Sequence, residues 1–446
     1  MKIFGTDGIR GLANKYPMTS EIAMKVGMAA ALYLGNTKSR TNRVVIGKDT
    51  RLSGYMIENS LVSGLTALGK NVLLLGPIPT PAVAMLTKAI RADLGIMVSA
   101  SHNPYYDNGI KLFDNQGYKM SDEDEKEITK LVSHDLSKYF AKSDSIGRVE
   151  RLKEGFGRYI EYVKSVFPDN ATLSNFKIVV DCANGAAYKI APLVFYELGA
   201  EVIKIGVAPN GLNINDNCGS THIETLKSKV LESKADLGIA FDGDADRVIM
   251  VDEKGEVIDG DLILAIIATR WQQQGMLSNN KIVSTVMANM GFEEYLKTQK
   301  IELIRTAVGD RYVNEALMEE KLSLGGEQSG HIIIPNYSTT GDGILASLEV
   351  LAALAKANKP ASVALRLYTN TPQSLHNIKY SGKNPLENKV VQEFINNITK
   401  KNKELARIVI RKSGTENMIR IMVEAKTKPL VTLLSKEITN YFAKFI

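Results

Sequence analysis

The sequence has few of the features that mark a secreted, membrane-spanning or nucleic-acid-binding protein. Its 446 residues include two cysteines, Cys182 and Cys218, too few for a disulfide framework, so we expect a reducing, cytoplasmic location. The most apolar early stretch, NVLLLGPIPTPAVAML, contains three prolines and is too short to span a bilayer. The 55 basic and 49 acidic residues give a net charge of +6 over a long chain. We therefore expect neither a nucleic-acid partner nor a membrane partner.

An internal repeat indicates how the chain is organised. At about 150 residues per domain the length allows about three domains, and three segments begin with an apolar strand, the first before GKDTRLSG. Each continues with a helical pattern and a second strand, such as NVLLLGPIPT in the first. The third strands of the first two repeats are nearly identical, RADLGIMV at 91–98 and SKADLGIAF at 233–241, and KLSLGGE at 321–327 is a looser counterpart. Strands that alternate with helix-length segments predict largely parallel sheets. We therefore expect three related α/β domains.

A change of pattern after about residue 365 predicts a smaller α+β domain at the C-terminal end. A helical stretch over 390–401 precedes RIVIRKSGTENMIRIMVEA and a final helix. In MIRIMVEA, Ile419, Ile421 and Val423 alternate with Arg420 and Glu424, so one face of that strand is apolar. The expected fold is thus three related α/β domains with mixed, largely parallel sheets and a smaller α+β domain around a central cleft. We expect the domains to cover residues 1–150, 151–255, 256–366 and 367–446.

The loop DGDADR, directly after the repeated strand of the second domain, predicts a metal site. Asp242, Asp244 and Asp246 are two residues apart, and carboxylates this close repel each other unless a hard cation binds between them. We favour Mg²⁺, which takes a few carboxylates and a phosphate oxygen. A Ca²⁺ loop of the EF-hand kind is an alternative, with Glu253 as its last ligand. However, Arg247 stands where that loop needs glycine, and strand-like segments flank it.

The loop SASHNP, at the corresponding place in the first domain, contains a candidate nucleophile. The sequence alone leaves open whether it forms an Asn-Pro turn or presents Ser101 for chemistry. A serine hydroxyl is a weak nucleophile unless a base or a metal activates it, and the nucleophile elbow of hydrolases does not surround Ser101. Ligands of open α/β sheets bind at the carboxyl ends of the strands. We therefore expect the loops of the three domains to form the walls of one site.

Two further loops have side chains suited to a sugar and a phosphate. If GGEQSGH is extended, Glu327, Ser329 and His331 point the same way and can bond sugar hydroxyls. A zinc site at His331 and Glu327 would need further ligands that the sequence does not offer at suitable spacing. The Gly-containing loop in RKSGTENMIR lies between Arg411 and Arg420, and such a loop suits a phosphate dianion.

Together these motifs resemble those of the α-D-phosphohexomutase superfamily over the whole chain. The matching stretches are FGTDGIRG, SASHNP, FDGDADRV, VGDRYV, GGEQSGH, TTGDG and RKSGTE. Members that act on glucose or mannose phosphates usually carry another residue at Gln328, so the chain is most similar to the bacterial members that act on glucosamine phosphates. The resemblance implies an isomerase that converts glucosamine 6-phosphate to glucosamine 1-phosphate and so supplies UDP-N-acetylglucosamine and peptidoglycan precursors.

The resemblance also implies a role for each residue of the site. Ser101 would carry a phosphate that completes Mg²⁺ coordination with Asp242, Asp244 and Asp246. The side chains expected around the reacting group are Arg10, Lys111, Arg247 and His331, and the choice of general base between Lys111 and His331 stays open. The residues expected to bind the substrate are Glu327, Ser329, Arg411, Ser413, Gly414, Thr415 and Arg420.

The resemblance further implies a small-molecule sugar phosphate as partner and a hexose 1,6-bisphosphate as activator and intermediate, and it leaves open whether the chain forms a homodimer. Two other functions also stay open at this point. The first is the same reaction with glucose or mannose phosphate as the preferred substrate. The second is a non-enzymatic Ca²⁺-sensing or carbohydrate-binding protein, which would use DGDADR and GGEQSGH but would leave Ser101 without a role.

Overall fold

The described part of the chain forms four sheets that follow one another in sequence. The computed structural model describes residues 3–5, 7–36, 41–412 and 417–445. The first three sheets have six, five and four strands and mix parallel with antiparallel pairs, and the fourth has three antiparallel strands. The expected fold class is thus confirmed. None of the described helices has the length and apolar composition that crossing a bilayer requires.

The first sheet provides the loop with Ser101. Its strands are β1 (Ile9–Leu12), β2 (Arg43–Lys48), β3 (Asn71–Pro77), β4 (Leu94–Val98), β5 (Asp107–Phe113) and β6 (Val149–Arg151), in the order β1-β5-β4-β2-β3-β6. The central strands β2, β3 and β4 are parallel, and β5 joins β4 antiparallel. Its helices are α1 (Ser20–Asn36), α2 (Ser53–Ala67), α3 (Thr80–Ala89) and α4 (Asp122–Val132). All five residues of β4 are buried, as expected for a strand covered on both faces.

The second sheet repeats this arrangement and provides the acidic loop. A linking helix, α5 (Gly155–Lys164), precedes it. Its elements are β7 (Lys177–Asp181), α6 (Ile190–Glu197), β8 (Glu201–Ile205), α7 (Glu224–Ser233), β9 (Leu237–Phe241), β10 (Val248–Asp252) and β11 (Val257–Ile258). The parallel strands β8, β7 and β9 are followed by antiparallel β10 and β11. The two copies of ADLGI therefore form equivalent strands, β4 and β9.

The third sheet is the least regular copy. Its elements are α8 (Gly260–Gln273), β12 (Lys281–Thr285), α9 (Met290–Thr298), β13 (Glu302–Thr306), α10 (Asp310–Glu319), β14 (Gly325–Gly326), β15 (Ile332–Ile333), α11 (Gly343–Ala357) and α12 (Ala361–Ala364). Strands β13, β12 and β14 are parallel. The segment KLSLGGE supplies β14, which has two residues, so the looser sequence match corresponds to a shorter strand.

The fourth sheet has its own hydrophobic core. Its elements are β16 (Gln373–Lys379), α13 (Lys389–Asn402), β17 (Ala406–Lys412), β18 (Met418–Ala425) and α14 (Lys428–Phe442). Ile419, Ile421 and Val423 are buried in that core as expected. Glu424, on the opposite face of β18, is also fully buried. Its Oε1 accepts a hydrogen bond from the Met290 N–H at 2.8 Å, at the start of α9, and its Oε2 lies 2.6 Å from Arg407 Nη2.

The buried side chains divide the molecule differently from the sheets. The largest apolar cluster joins residues from the first three sheets and their helices, with Phe113, Phe241 and Trp271 among its fully buried members. A second cluster fills the rest of the first unit, and the fourth sheet with α13 and α14 forms a separate cluster. The loops of the first three sheets are therefore held on a continuous apolar core, whereas the fourth unit packs on itself.

Candidate active site

Ser101 follows the carboxyl end of β4 and meets the acidic loop of the second sheet. Its hydroxyl donates a hydrogen bond to Asp242 Oδ2 at 2.6 Å, and the residue is 1% exposed. Its backbone φ of +51° lies in the left-handed region, which costs a non-glycine residue about 1–3 kcal/mol. The fold therefore brings the candidate nucleophile against the aspartates and holds it there in an unfavourable backbone conformation.

Three aspartates after β9 form a buried group that fits a metal ion. Asp242, Asp244 and Asp246 each offer a carboxylate oxygen, and these oxygens lie within 4.8 Å of one another. Among the described residues, Asp244 Oδ1 and Asp246 Oδ1 have no hydrogen-bond partner. A buried carboxylate oxygen without a partner is costly, and a hard cation between the aspartates would satisfy both atoms. The burial and the donor set thus suit a divalent cation that prefers oxygen ligands.

The EF-hand alternative is wrong. The acidic loop joins two antiparallel strands, β9 and β10, where an EF-hand has a helix on each side. Glu253, which would be the last ligand of a Ca²⁺ loop, instead accepts a hydrogen bond from the Ser362 N–H at 2.9 Å. The backbone N–H of Arg247 donates to Asp242 Oδ1 at 3.2 Å and so helps to fix that aspartate.

Lys111, on β5, places a buried ammonium group among the aspartates. Its Nζ lies 2.8 Å from Asp244 Oδ2 and 3.1 Å from Asp246 Oδ2. Burial disfavours the charged lysine, but the carboxylates of Asp244, Asp246 and Asp7 outweigh that effect and raise the pKa of Lys111 well above its usual value. Burial likewise opposes ionisation of Asp246, yet Lys111 and His331 hold the pKa of that carboxyl well below its ordinary range. The structure therefore places Lys111 beside Asp244 and Asp246.

A network of charges continues from Lys111 toward the third sheet and includes residues that the sequence analysis missed. Asp7 accepts a hydrogen bond from Lys119 Nζ at 2.6 Å, and it also bonds Arg10. Lys119 in turn pairs with Asp310, the first residue of α10. Asp7 and Asp310 belong to the motifs FGTDGIRG and VGDRYV, so these motifs were a usable signal, whereas Lys119 lies outside every motif.

His102 is a further residue that the sequence analysis left without a role. Its Nδ1 lies 3.4 Å from Ser101 Oγ. Burial lowers the pKa of His102 to about 3, and the positive charges of Arg247 and Arg10 add to that effect. The ring beside the serine hydroxyl is therefore neutral at physiological pH.

GGEQSGH forms a tight hairpin loop between β14 and β15, so the extended form in which Glu327, Ser329 and His331 would point the same way is not adopted. The Glu327 N–H donates to the carbonyl of His331 at 3.0 Å, and Gly330 has a φ of +88°, which glycine adopts without strain. The side chains of Glu327 and Ser329 nonetheless lie together, 3.4 Å apart, and Glu327 Oε1 accepts from the Gly309 N–H at 3.0 Å. The turn therefore gathers the candidate sugar-binding groups beside the start of α10.

His331 leaves this loop and faces the acidic residues. Its Nδ1 lies 3.7 Å from Asp246 Oδ1 and its Nε2 lies 3.7 Å from Asp310 Oδ2, while the Gly341 N–H donates to Nε2 at 3.2 Å. This last bond places the ring proton on Nδ1, toward Asp246. Burial disfavours a charged ring, but Asp246 and Asp310 outweigh it and raise the pKa of His331. Both candidates for the general base thus lie beside the same aspartate.

Gln328, the residue used above to distinguish substrates, takes part in the packing of the loop. Its Nε2 donates to Asp259 Oδ2 at 3.3 Å. Asp259 is the N-cap of α8, where its side chain accepts from the Leu262 N–H. The amide of Gln328 is therefore used in joining the hairpin loop to α8.

Two arginines of the fourth sheet face each other at the candidate phosphate loop. Arg411 on β17 and Arg420 on β18 are direct cross-strand partners. Burial lowers the pKa of Arg411, and the charge of Arg420 adds to this. Two like charges on opposed strand positions repel each other, and an anion between them would relieve the repulsion. The predicted binding residues Ser413, Gly414 and Thr415 lie outside the described residues.

Comparisons with known proteins agree with this geometry. Four models of phosphoglucomutase/phosphomannomutase domains match the chain: α/β/α domain I at 1–138, domain II at 157–255, domain III at 259–371 and the C-terminal domain at 375–440. Phosphoglucosamine mutase of Mesorhizobium japonicum is 53% identical and that of Zymomonas mobilis 55% identical. The alignments cover 99% and 96% of this chain and 98% and 96% of those proteins.

A solved structure has the same fold. It is a phosphoglucomutase/phosphomannomutase family protein from Burkholderia thailandensis, with a TM-score of 0.82 and 22% sequence identity. The alignment covers 99% of this chain and 96% of that one.

Proposed function

The chain belongs to the phosphoglucomutase/phosphomannomutase family, and from this membership we propose that it converts glucosamine 6-phosphate to glucosamine 1-phosphate. The amino sugar is inferred from the two curated phosphoglucosamine mutases that are 53% and 55% identical over nearly the whole chain. The observation that carries the chemistry is the 2.6 Å hydrogen bond between the Ser101 hydroxyl and Asp242, which joins the nucleophile of one sheet to the metal loop of the next.

In the proposed reaction Ser101 carries a phosphoryl group and gives it to the substrate. The bond from phosphorus to Ser101 Oγ breaks as a bond to O1 of glucosamine 6-phosphate forms, and the product is the 1,6-bisphosphate. The O1 proton passes to His331, because the carboxylates around Lys111 hold it as an ammonium group that cannot accept a further proton. A proton in turn reaches Ser101 Oγ as that oxygen leaves phosphorus, so no proton is gained or lost. The bisphosphate then turns over, its 6-phosphoryl group returns to Ser101, and glucosamine 1-phosphate leaves.

Asp242, Asp244 and Asp246 are the proposed Mg²⁺ ligands, together with the phosphate on Ser101. When bound, the ion would neutralise charge on the transferring phosphoryl group, since phosphoryl transfer depends mainly on positioning and charge stabilisation. Lys111 places a second positive charge beside the aspartates, 2.8 Å from Asp244. Burial opposes the charge on Arg10, but Asp7 and Asp244 outweigh it and raise the pKa of its guanidinium, which stays charged near the transferring oxygens.

The remaining residues are proposed to bind the sugar and the phosphate that does not react. Glu327 and Ser329 offer adjacent oxygens to sugar hydroxyls, and Arg411 and Arg420 offer paired guanidinium groups to a phosphate. Ser413, Gly414 and Thr415 are proposed to complete that phosphate site. A phosphate site on a separately packed unit suits a substrate that presents first one end and then the other.

Four further statements are proposals of the same kind. Each of the four domains, with boundaries near residues 150, 255 and 366, contains one sheet. A hexose 1,6-bisphosphate serves as activator as well as intermediate. The protein acts in the cytoplasm, where its product leads to UDP-N-acetylglucosamine. The fourth is a possible homodimer, which the sequence resemblance leaves open.

The proposal is tested by removing the Ser101 hydroxyl and by comparing substrates. We expect Ser101→Ala to lose mutase activity by at least about 10⁴-fold, because the phosphoryl group has no other carrier. Mass spectrometry of the wild-type protein should show one phosphate on the Ser101 peptide. Turnover on glucosamine, glucose and mannose 6-phosphates should be highest with the amino sugar. Near-normal activity of Ser101→Ala would refute the nucleophile, and a preference for glucose or mannose would refute the amino-sugar assignment.

A further inference from the structure

Arg51 lies directly beneath the loop that contains Ser101. It follows β2 in the stretch GKDTRLSG, to which the proposed function gives no role, and it is 1% exposed. All of its donor nitrogens bond the protein, and four of the bonds go to backbone carbonyls of one short segment. Nε donates to Asp49 Oδ2 at 2.8 Å. Nη1 donates to the carbonyl of Asp107 at 3.1 Å and to that of Pro104. Nη2 donates to the carbonyls of Ser101 at 2.9 Å and Asn103 at 2.8 Å.

The position calls for an arginine in particular. Four carbonyl oxygens that converge on one buried point repel each other unless a cation with several donors lies between them. Arginine has five N–H donors in a fixed planar fork, and each is used here. Lysine keeps the charge but has three donors on a single nitrogen, so it cannot bond all the acceptors at once.

The same network also holds the N–H of Ser101. Asp49 Oδ2 accepts from Ser99 Oγ at 2.6 Å, and Ser99 Oγ accepts from the Ser101 N–H at 2.9 Å. Arg51 bonds Asp49, so both backbone groups of Ser101 are tied to one buried ion pair. This explains how a serine is kept at a φ of +51°, with its hydroxyl aimed at Asp242.

A second residue reaches the same carbonyls from the second sheet. Asn215 Nδ2 donates to Ser101 O at 2.9 Å and to Asn103 O at 3.0 Å. Arg51 therefore bonds the loop carbonyls from one side, and Asn215 bonds two of them from the side of the acidic loop. Asn215 offers an independent way to perturb the loop without removing a buried charge.

We propose that Arg51 is a positioning residue for phosphoryl transfer, which holds the Ser101 loop so that the serine oxygen faces the aspartates. This inference rests on the proposed function. Arg51 acts through the backbone of Ser101, Asn103 and Pro104 and does not reach the substrate. Its loss should therefore lower kcat and leave the substrate KM within about twofold, since Glu327, Ser329 and the arginines of the fourth sheet are untouched. A misplacement of about 1 Å costs on the order of 10²-fold in rate.

The test compares Arg51→Ala, Arg51→Lys and Asn215→Ala with wild type. We expect kcat to fall about 10²-fold in Arg51→Ala, and by less in Arg51→Lys and Asn215→Ala. Millimolar guanidinium should restore part of the kcat of Arg51→Ala, in a saturable manner, because it can occupy the emptied site. Arg270→Ala, which removes a partly buried arginine paired with Glu349, is the matched control and should show neither the kcat loss nor the rescue.

A readout besides turnover separates this inference from the proposed function. The rate at which glucose 1,6-bisphosphate places a phosphate on Ser101, followed by intact-protein mass spectrometry, should fall in the Arg51 variants in parallel with kcat. A wild type with neither this phosphate nor mutase activity would refute the proposed function. If the wild type is active, two results would overturn the positioning role. The first is a normal kcat in the Arg51 and Asn215 variants. The second is a loss confined to KM or melting temperature, with no rescue by guanidinium.

Discussion

Asp342 gives a quantitative test of the charges buried behind the site. It is the N-cap of α11, it accepts a hydrogen bond from the Leu345 N–H at 3.0 Å, and the Tyr159 hydroxyl on α5 donates to its carboxylate at 2.9 Å. Burial nevertheless raises the pKa of Asp342 from 3.8 to about 6. The folded protein therefore holds this proton at pH values where the unfolded chain has released it. The resulting stabilisation is fully present below about pH 4 and is lost as the pH rises through 6.

The size of the effect follows from the shift. Roughly two pKa units correspond to about 3 kcal/mol, and about half of this difference develops between pH 5 and pH 8. Asp342→Asn has no charge to bury and keeps a favourable capping side chain. We expect the variant to be more stable than wild type at pH 8, with an advantage that is about 1.5 kcal/mol smaller at pH 5. For a chain of this length the change corresponds to about 1–2 °C in Tm.

The assay is the Tm of wild type and variant from pH 5 to pH 8 by calorimetry. Tyr159→Phe serves as control, because it removes a hydrogen bond to the ionised carboxylate and should destabilise more at pH 8 than at pH 5. In an Asp342→Asn background the same substitution should have an effect that does not depend on pH. A difference between wild type and Asp342→Asn that stays constant from pH 5 to pH 8 would refute the reasoning.

Two further predictions concern the joint to the fourth unit and the choice of sugar. Glu424→Ala leaves the Arg407 charge and the Met290 N–H without their buried partner, at a cost of about 3 kcal/mol. We expect faster proteolysis around residues 366–372 and a raised KM. The effect should be smaller in Glu424→Gln, which keeps an oxygen for the Met290 N–H. Unchanged proteolysis and KM in both variants would contradict the role of Glu424 in joining the fourth unit to α9. Gln328→Met should cost about 1 kcal/mol of stability through the lost bond to Asp259. The ratio of turnover on glucosamine 6-phosphate to that on glucose 6-phosphate should stay within about twofold of the wild-type ratio. A larger change would show that Gln328 contributes to the choice of sugar.

Local features of the sequence were enough to predict the fold and the position of the three aspartates beside Ser101. The strands around ADLGI are apolar runs bounded by loops, so their burial and their repetition could be inferred without knowing any long-range contact. The acidic loop was equally clear, because the mutual repulsion of Asp242, Asp244 and Asp246 depends on their spacing alone. That loops after equivalent strands meet is a general property of α/β sheets. The contact between Ser101 and Asp242 followed from these points together.

Contacts that depend on distant partners could not be inferred in the same way. The four loop carbonyls that Arg51 binds lie about 50 residues further along the chain, and an arginine in a polar loop gives no sign of burial. Glu424 alternates with apolar residues as a solvent-facing residue would, yet α9 covers it. The alternation of Glu327, Ser329 and His331 gives no sign of the turn that Gly330 makes with a positive φ. In each case the missing information was which surface of a second element covers the residue.

The arrangement of the cores separates two tasks within the proposed site. Ser101, Asp242 and Lys111 lie on loops and strands of the first two sheets, and both sheets contribute side chains to the largest apolar cluster, so the group-transfer half of the site is joined by a buried core. The arginines proposed to bind phosphate lie on a unit with its own core, joined to the third sheet through polar contacts such as the Asn289 Oδ1 bond from the Thr371 N–H at 2.9 Å. Polar contacts at a joint can break and re-form at lower cost than a buried apolar core can be opened. The proposed reaction transfers phosphate at one serine and then turns its intermediate around. It therefore needs a phosphoryl-transfer site that stays in place and a phosphate-binding unit that can release the intermediate.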